Sequence, residues 1–158
     1  MKNLFFISVL LFSVSWIPPK NNPGNDNCAG KFELEHSGKT HQIINQGPLV
    51  QKFLGYYEYK NANEGDGYLE LMENGKGKRK GDDSAWTGKS DVKPVENWGL
   101  KLDDDCTLKK YDYPQSENVH KHIIFYKIQG SEWKATYMYV NTKENKVFYG
   151  PYGLVKKR

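Results

Sequence analysis

The chain has 158 residues, a net charge of +4 and an aromatic content of 14%. That length is one domain with room for a core, and so small a basic excess gives solubility without a strong pull toward nucleic acid. The longest apolar run, Leu4 to Phe12, is far short of the roughly 20 residues that span a bilayer, which disfavours a transmembrane helix there.

The first residues carry an address. Lys2 supplies positive charge, Leu4 to Phe12 an apolar segment, and Ser13-Val14-Ser15 the small residues read by an export peptidase. Residues 1–15 therefore read as a secretory signal, and the mature protein as exported, periplasmic or extracellular. Trp16 stands where a lipoprotein would need its cysteine, so lipid attachment is not expected. Residues 16–30, with Pro18-Pro19, Pro23-Gly24 and clustered Asn and Asp, read as a flexible leader. Two cysteines, Cys28 and Cys106, reach an oxidising compartment on this reading. Pairing would close a loop of 77 intervening residues; two separate thiols are the alternative.

From residue 31 to 158 the pattern is strand after strand. Phe32, Leu34 and His36 alternate with charged neighbours, Ser37-Gly38 turns the chain, and Thr40 to Ile44 returns. Phe53 to Tyr59 follows, then a break at Glu64-Gly65-Asp66-Gly67 and a further strand from Tyr68 to Met72. Asn74-Gly75 is a two-residue hairpin signal, since both tolerate the positive φ such a turn needs. Its return arm, Lys76 to Lys80, is nearly devoid of apolar side chains and reads as a lysine-rich edge strand that discourages aggregation. Trp98, Leu100 and Leu102 alternate again, as does Val119 to Tyr126. Trp133, Ala135, Tyr137 and Tyr139 share one face of the next strand, and Val147 to Tyr149 completes a last hairpin. No helix is evident. Eight or so strands on short connections predict an all-β fold, a single antiparallel up-and-down barrel or, alternatively, a β-sandwich.

Leu54-Gly55-Tyr56-Tyr57, ahead of this chain of hairpins, resembles the opening of lipocalin-like secreted β-barrel proteins. In that family a Gly-x-Trp motif closes the barrel base and the open mouth holds an apolar small molecule. Tyr57 stands here where the tryptophan would fall. The resemblance covers four residues in motif and the body in strand rhythm, and implies a barrel with a ligand pocket.

The chemistry-bearing residues are mostly aromatic. Tyr57, Tyr59, Trp98, Tyr126, Trp133, Tyr137 and Tyr139 are the candidate ligand-binding residues, because large rings with polar tips line apolar cavities or stack on sugars; they can equally fill a core. His120-Lys121-His122 places two imidazoles on one strand face, but the ligand set for a metal is incomplete. Asp103-Asp104-Asp105 lacks the spacing of a calcium loop and reads as a polar turn before Cys106. No nucleophile elbow, phosphate-cradling loop or zinc-protease helix occurs, and no cofactor is expected. Strand glutamates such as Glu33, Glu35, Glu58 and Glu70 read as a wet sheet face rather than a glycosidase pair. The expectation is a non-enzymatic binding protein that holds an apolar small molecule in an aromatic-lined barrel. Alternatives are a surface module for a glycan or a protein, or a structural domain with no ligand.

Overall fold

A computed structural model of the chain describes residues 28–61, 65–81, 91–149 and 156–157. The signal segment and nearly all of the leader lie outside the described residues.

The described chain is all-β, an antiparallel sheet rolled into a nearly closed barrel. Strands β1 (Lys31–His36) and β2 (Lys39–Ile44) form the first hairpin. The barrel wall then runs through β3 (Gly55–Asn61), β4 (Gly65–Leu71), β5 (Gly77–Lys80), β6 (Val92–Lys101), β8 (Val119–Ile128), β9 (Trp133–Asn141) and β10 (Lys146–Tyr149). The short β7 (Tyr111–Asp112) joins the flank of β8, and β11 (Lys156–Lys157) pairs with β3. Neighbours in sequence are thus neighbours in the wall, as an up-and-down meander requires. Where the wall almost meets itself, the inward rings of Tyr57 on β3 and Tyr149 on β10 stand 6.4 Å apart.

Two turns explain how the wall begins. Val50 to Phe53 forms a tight turn that drops Phe53, fully buried, into the barrel end. Asn74 and Gly75 adopt φ of 58° and 72°, as the Asn-Gly signal predicts, but Leu71 pairs with Gly77 and the Met72 N–H donates to the Lys76 carbonyl, so the loop is three residues, Glu73 to Gly75, rather than two. The strand break expected at residues 64–67 does not extend so far, because Gly65 to Gly67 pair with Tyr59, Lys60 and Asn61 of β3 as part of β4.

The basic arm is also not an edge. β5 pairs with both β4 and β6. It carries few apolar groups because Gly77 must lie flat against the wall: a Cβ there would fall 2.2 Å from the Glu70 carbonyl oxygen. Its other inward residue, Arg79, stacks its guanidinium 5.4 Å from the centre of the Tyr126 ring.

The interior is filled from every wall strand but β5: Tyr57, Leu69, Leu71, Val95, Trp98, Leu100, Ile124, Tyr126, Met138 and Val147 form one cluster. Val95 and Trp98 are three apart, yet both face inward. A bulge between Val95 and Asn97 resets the alternation of β6. The β1–β2 hairpin hangs outside this wall from β6, through Ile43 opposite Lys101 and Ile44 opposite Leu100. It covers Phe125 on the outer face of β8, making a second small core with Leu34 and Ile43. The Cys28–Cys106 disulfide, with Cα atoms 5.5 Å apart, ties the root of this hairpin to the loop after β6. Asp103 to Asp105 forms the polar turn expected there, with Asp105 accepting from the Thr107 amide at 3.0 Å and its hydroxyl at 2.7 Å.

Candidate functional site

The seven aromatic candidates separate into two groups. Tyr57, Trp98 and Tyr126 point inward and are core residues. Tyr57 and Trp98 have no exposed surface, and an internal space wide enough for water would give them some. Both satisfy their polar tips within the wall. The Tyr57 hydroxyl donates to the Phe53 carbonyl at 2.6 Å, and burial pushes its ionisation well above the ordinary value. The Trp98 indole N–H is shared between the Met72 and Lys76 carbonyls at 3.0 and 2.8 Å. Tyr59 is described in its backbone alone, where it pairs with Gly67.

Trp133, Tyr137 and Tyr139 do share a face, as their spacing requires, but it is the outer one. On β9 the inward positions belong to Met138 and Val140, both buried, while Tyr137 is 43% exposed. An aromatic lining of the barrel by these three is therefore corrected to an aromatic exterior. The cause is local: β9 has apolar side chains on both faces, and only its neighbours decide which face goes in.

The outer face holds more than those three rings. Directly paired residues on neighbouring strands share a face. Tyr111 on β7 pairs with Lys121 on β8, Lys121 with Tyr139 on β9, and Tyr139 with Phe148 on β10. Four strands thus contribute one transverse row, about 14 Å across at the usual strand spacing. Tyr137 flanks it, 6.5 Å from Tyr139, and Tyr113 meets Tyr139 edge-on at 5.4 Å. The Lys121 ammonium lies 5.5 Å from the centre of the Tyr137 ring. The Tyr113 hydroxyl is held by the Gln115 side chain. Tyr139 is partly desolvated in this cluster, and that, with Tyr113 and Tyr137 beside it, raises its ionisation above the ordinary phenol value.

At the other end of β9, Trp133 borders an open groove of about 530 Å³ between the β1–β2 turn and the β8–β9 turn. Glu35, His36, Lys127, Ser131 and Glu132 supply its polar walls, and Phe32 backs the indole at 6.4 Å. Six residues of strand separate Trp133 from Tyr139, about 20 Å. Between them Ala135 is exposed, leaving a shallow gap in the row.

The histidines serve packing. His122 is buried on the inner face, its ring edge-on to Phe53 at 5.5 Å and its Nδ1 3.0 Å from the Lys109 carbonyl oxygen. Burial first, then the Lys52 charge, lowers its pKa to about 4. The His36 and His41 rings both meet Phe125, at 5.5 and 4.8 Å.

Comparison of the chain with family models, with curated proteins and with solved structures finds no match.

Proposed function

We propose that this chain is an exported, non-enzymatic β-barrel protein that binds a glycan on the outer aromatic face of β7 to β10. The observation that carries the reading is the transverse row of Tyr111, Lys121, Tyr139 and Phe148, flanked by Tyr113 and by Tyr137 at 43% exposure. Half-exposed tyrosines offer a flat apolar face for a sugar ring and a hydroxyl for its rim. The row is tyrosine-rich rather than aliphatic, which suits a wet, polar ligand better than a dry protein contact. Export is supported by the charged, apolar and small-residue order of residues 1–15 together with the Cys28–Cys106 disulfide.

A lipocalin-like pocket for an apolar molecule would need space beside Tyr57, Trp98 and Ile124, which are packed to zero exposure. That packing favours the exterior. The test is a glycan array probed with the wild type and with Tyr137→Ala and Tyr139→Ala. Retention by the wild type and loss in both variants, at unchanged melting temperature, is the expected outcome. Saturable quenching of Trp98 by an apolar probe, undisturbed by either substitution, would return the site to the interior.

A further inference from the structure

We infer that the outer face selects acidic polysaccharides, with Lys121 supplying the charge that pairs with a carboxylate on the sugar; this deepens the glycan reading and rests on it. Lys121 is half-buried at the middle of the row, between Tyr111 and Tyr139 in strand register and against the Tyr137 ring. Among the described residues no carboxylate lies within ion-pair distance of its ammonium. The other lysines bordering this surface differ. Lys146 is taken by Glu144 at 3.0 Å and Lys127 by Glu96 at 3.6 Å.

The outward positions around Lys121 carry no acid at all: Val119 and Ile123 on β8, Tyr137, Tyr139 and Asn141 on β9, Lys146 and Phe148 on β10. Glu117 lies in the turn before β8, and Asp112 pairs with His120 on the opposite face. A half-buried lysine set among aromatic side chains, with no carboxylate paired to it among the described residues, is electrostatically complementary to a ligand that brings one. The rings beside it set the rest of the ligand's chemistry. Sugar faces stack on Tyr137, Tyr139 and Phe148 while a carboxylate at the sugar's edge reaches Lys121. An acidic peptide is the competing occupant; the flat, partly exposed faces of Tyr137 and Tyr139 suit a sugar ring better than an extended chain, and the polyglutamate arm of the experiment separates the two.

The experiment is affinity electrophoresis of the disulfide-intact protein through gels containing polygalacturonate, dextran or polyglutamate, with the wild type, Lys121→Gln and Tyr139→Ala. Expected is retardation by polygalacturonate alone, about tenfold weaker in Lys121→Gln, the loss of one charge-assisted hydrogen bond, and lost in Tyr139→Ala. Equal retardation by dextran, indifferent to Lys121→Gln but lost in Tyr139→Ala, would overturn the acidic selectivity and leave the glycan reading standing. Equal retardation by polyglutamate would show attraction to charge alone and overturn the inference. No retardation in any gel would overturn both.

Discussion

His122 makes stability depend on pH in a calculable way. Its imidazole is buried against Phe53, and its pKa falls from 6.5 to about 4, through burial first and the Lys52 charge second. The unfolded chain keeps the ordinary value. Between pH 6.5 and about 4, therefore, the unfolded chain takes up a proton that the folded one refuses, so stability falls as the pH falls through that window. The contribution is intact above 6.5 and fully lost below about 4. At 1.36 kcal/mol per pH unit the loss is about 3 kcal/mol. Urea unfolding of the wild type and His122→Gln, followed by tryptophan fluorescence from about pH 7 to about pH 4, isolates the effect. The glutamine does not titrate, and carboxylate contributions cancel in the difference. The wild type is expected to lose about 3 kcal/mol more than the variant over this range. Parallel pH profiles would refute the reasoning.

Truncating Trp98 to alanine empties the centre of the core and takes the indole donor from the Met72 carbonyl; a loss of about 3–5 kcal/mol is expected by denaturant unfolding. Reducing the Cys28–Cys106 bond, or replacing both cysteines with serine, removes a constraint worth about 4.5 kcal/mol on the chain-entropy account, given a sequence separation of 78. The melting temperature should drop, and exchange of β1 and β2 amides should rise before that of β8. Gly77→Ala places a methyl 2.2 Å from the Glu70 carbonyl oxygen, so it should destabilise more than Ala135→Gly on the exposed face, measured as chemical midpoints. Tyr139→Ala should leave the unfolding free energy within about 1 kcal/mol of the wild type, since only partly buried surface is lost, while abolishing glycan retention.

The strands were legible because each one alternates or is bounded by a turn with a mechanism. Asn74-Gly75, Ser37-Gly38 and the runs through Val119 and Trp133 fall where their chemistry puts them. The exceptions have physical causes. Lys76 to Lys80 looked like an edge because it is polar, yet a glycine flat against the wall and an arginine over a tyrosine ring let it sit inside the sheet. Val95 could be placed inward only through a bulge that no residue at that point announces. The candidate site was half legible. Tyr137 and Tyr139 were visible as a pair on one face, but which face is exterior depends on Met138 and Val140 meeting the partners they do. Tyr111, Tyr113 and Phe148 were missed as members of the site. They join it through the pairings of β7 with β8 and of β9 with β10, which bring together residues up to 37 apart in sequence. Register across a sheet is not written in any one strand.

The most direct test of the account is a two-dimensional NMR titration of the isotope-labelled, disulfide-intact protein with trigalacturonate. Shifts confined to Tyr111, Lys121, Tyr137, Tyr139 and Phe148, with Trp98 and Ile124 undisturbed, are predicted. Shifts centred on Trp98, Tyr126 and Ile124, or none on the outer face at saturating sugar, would contradict it.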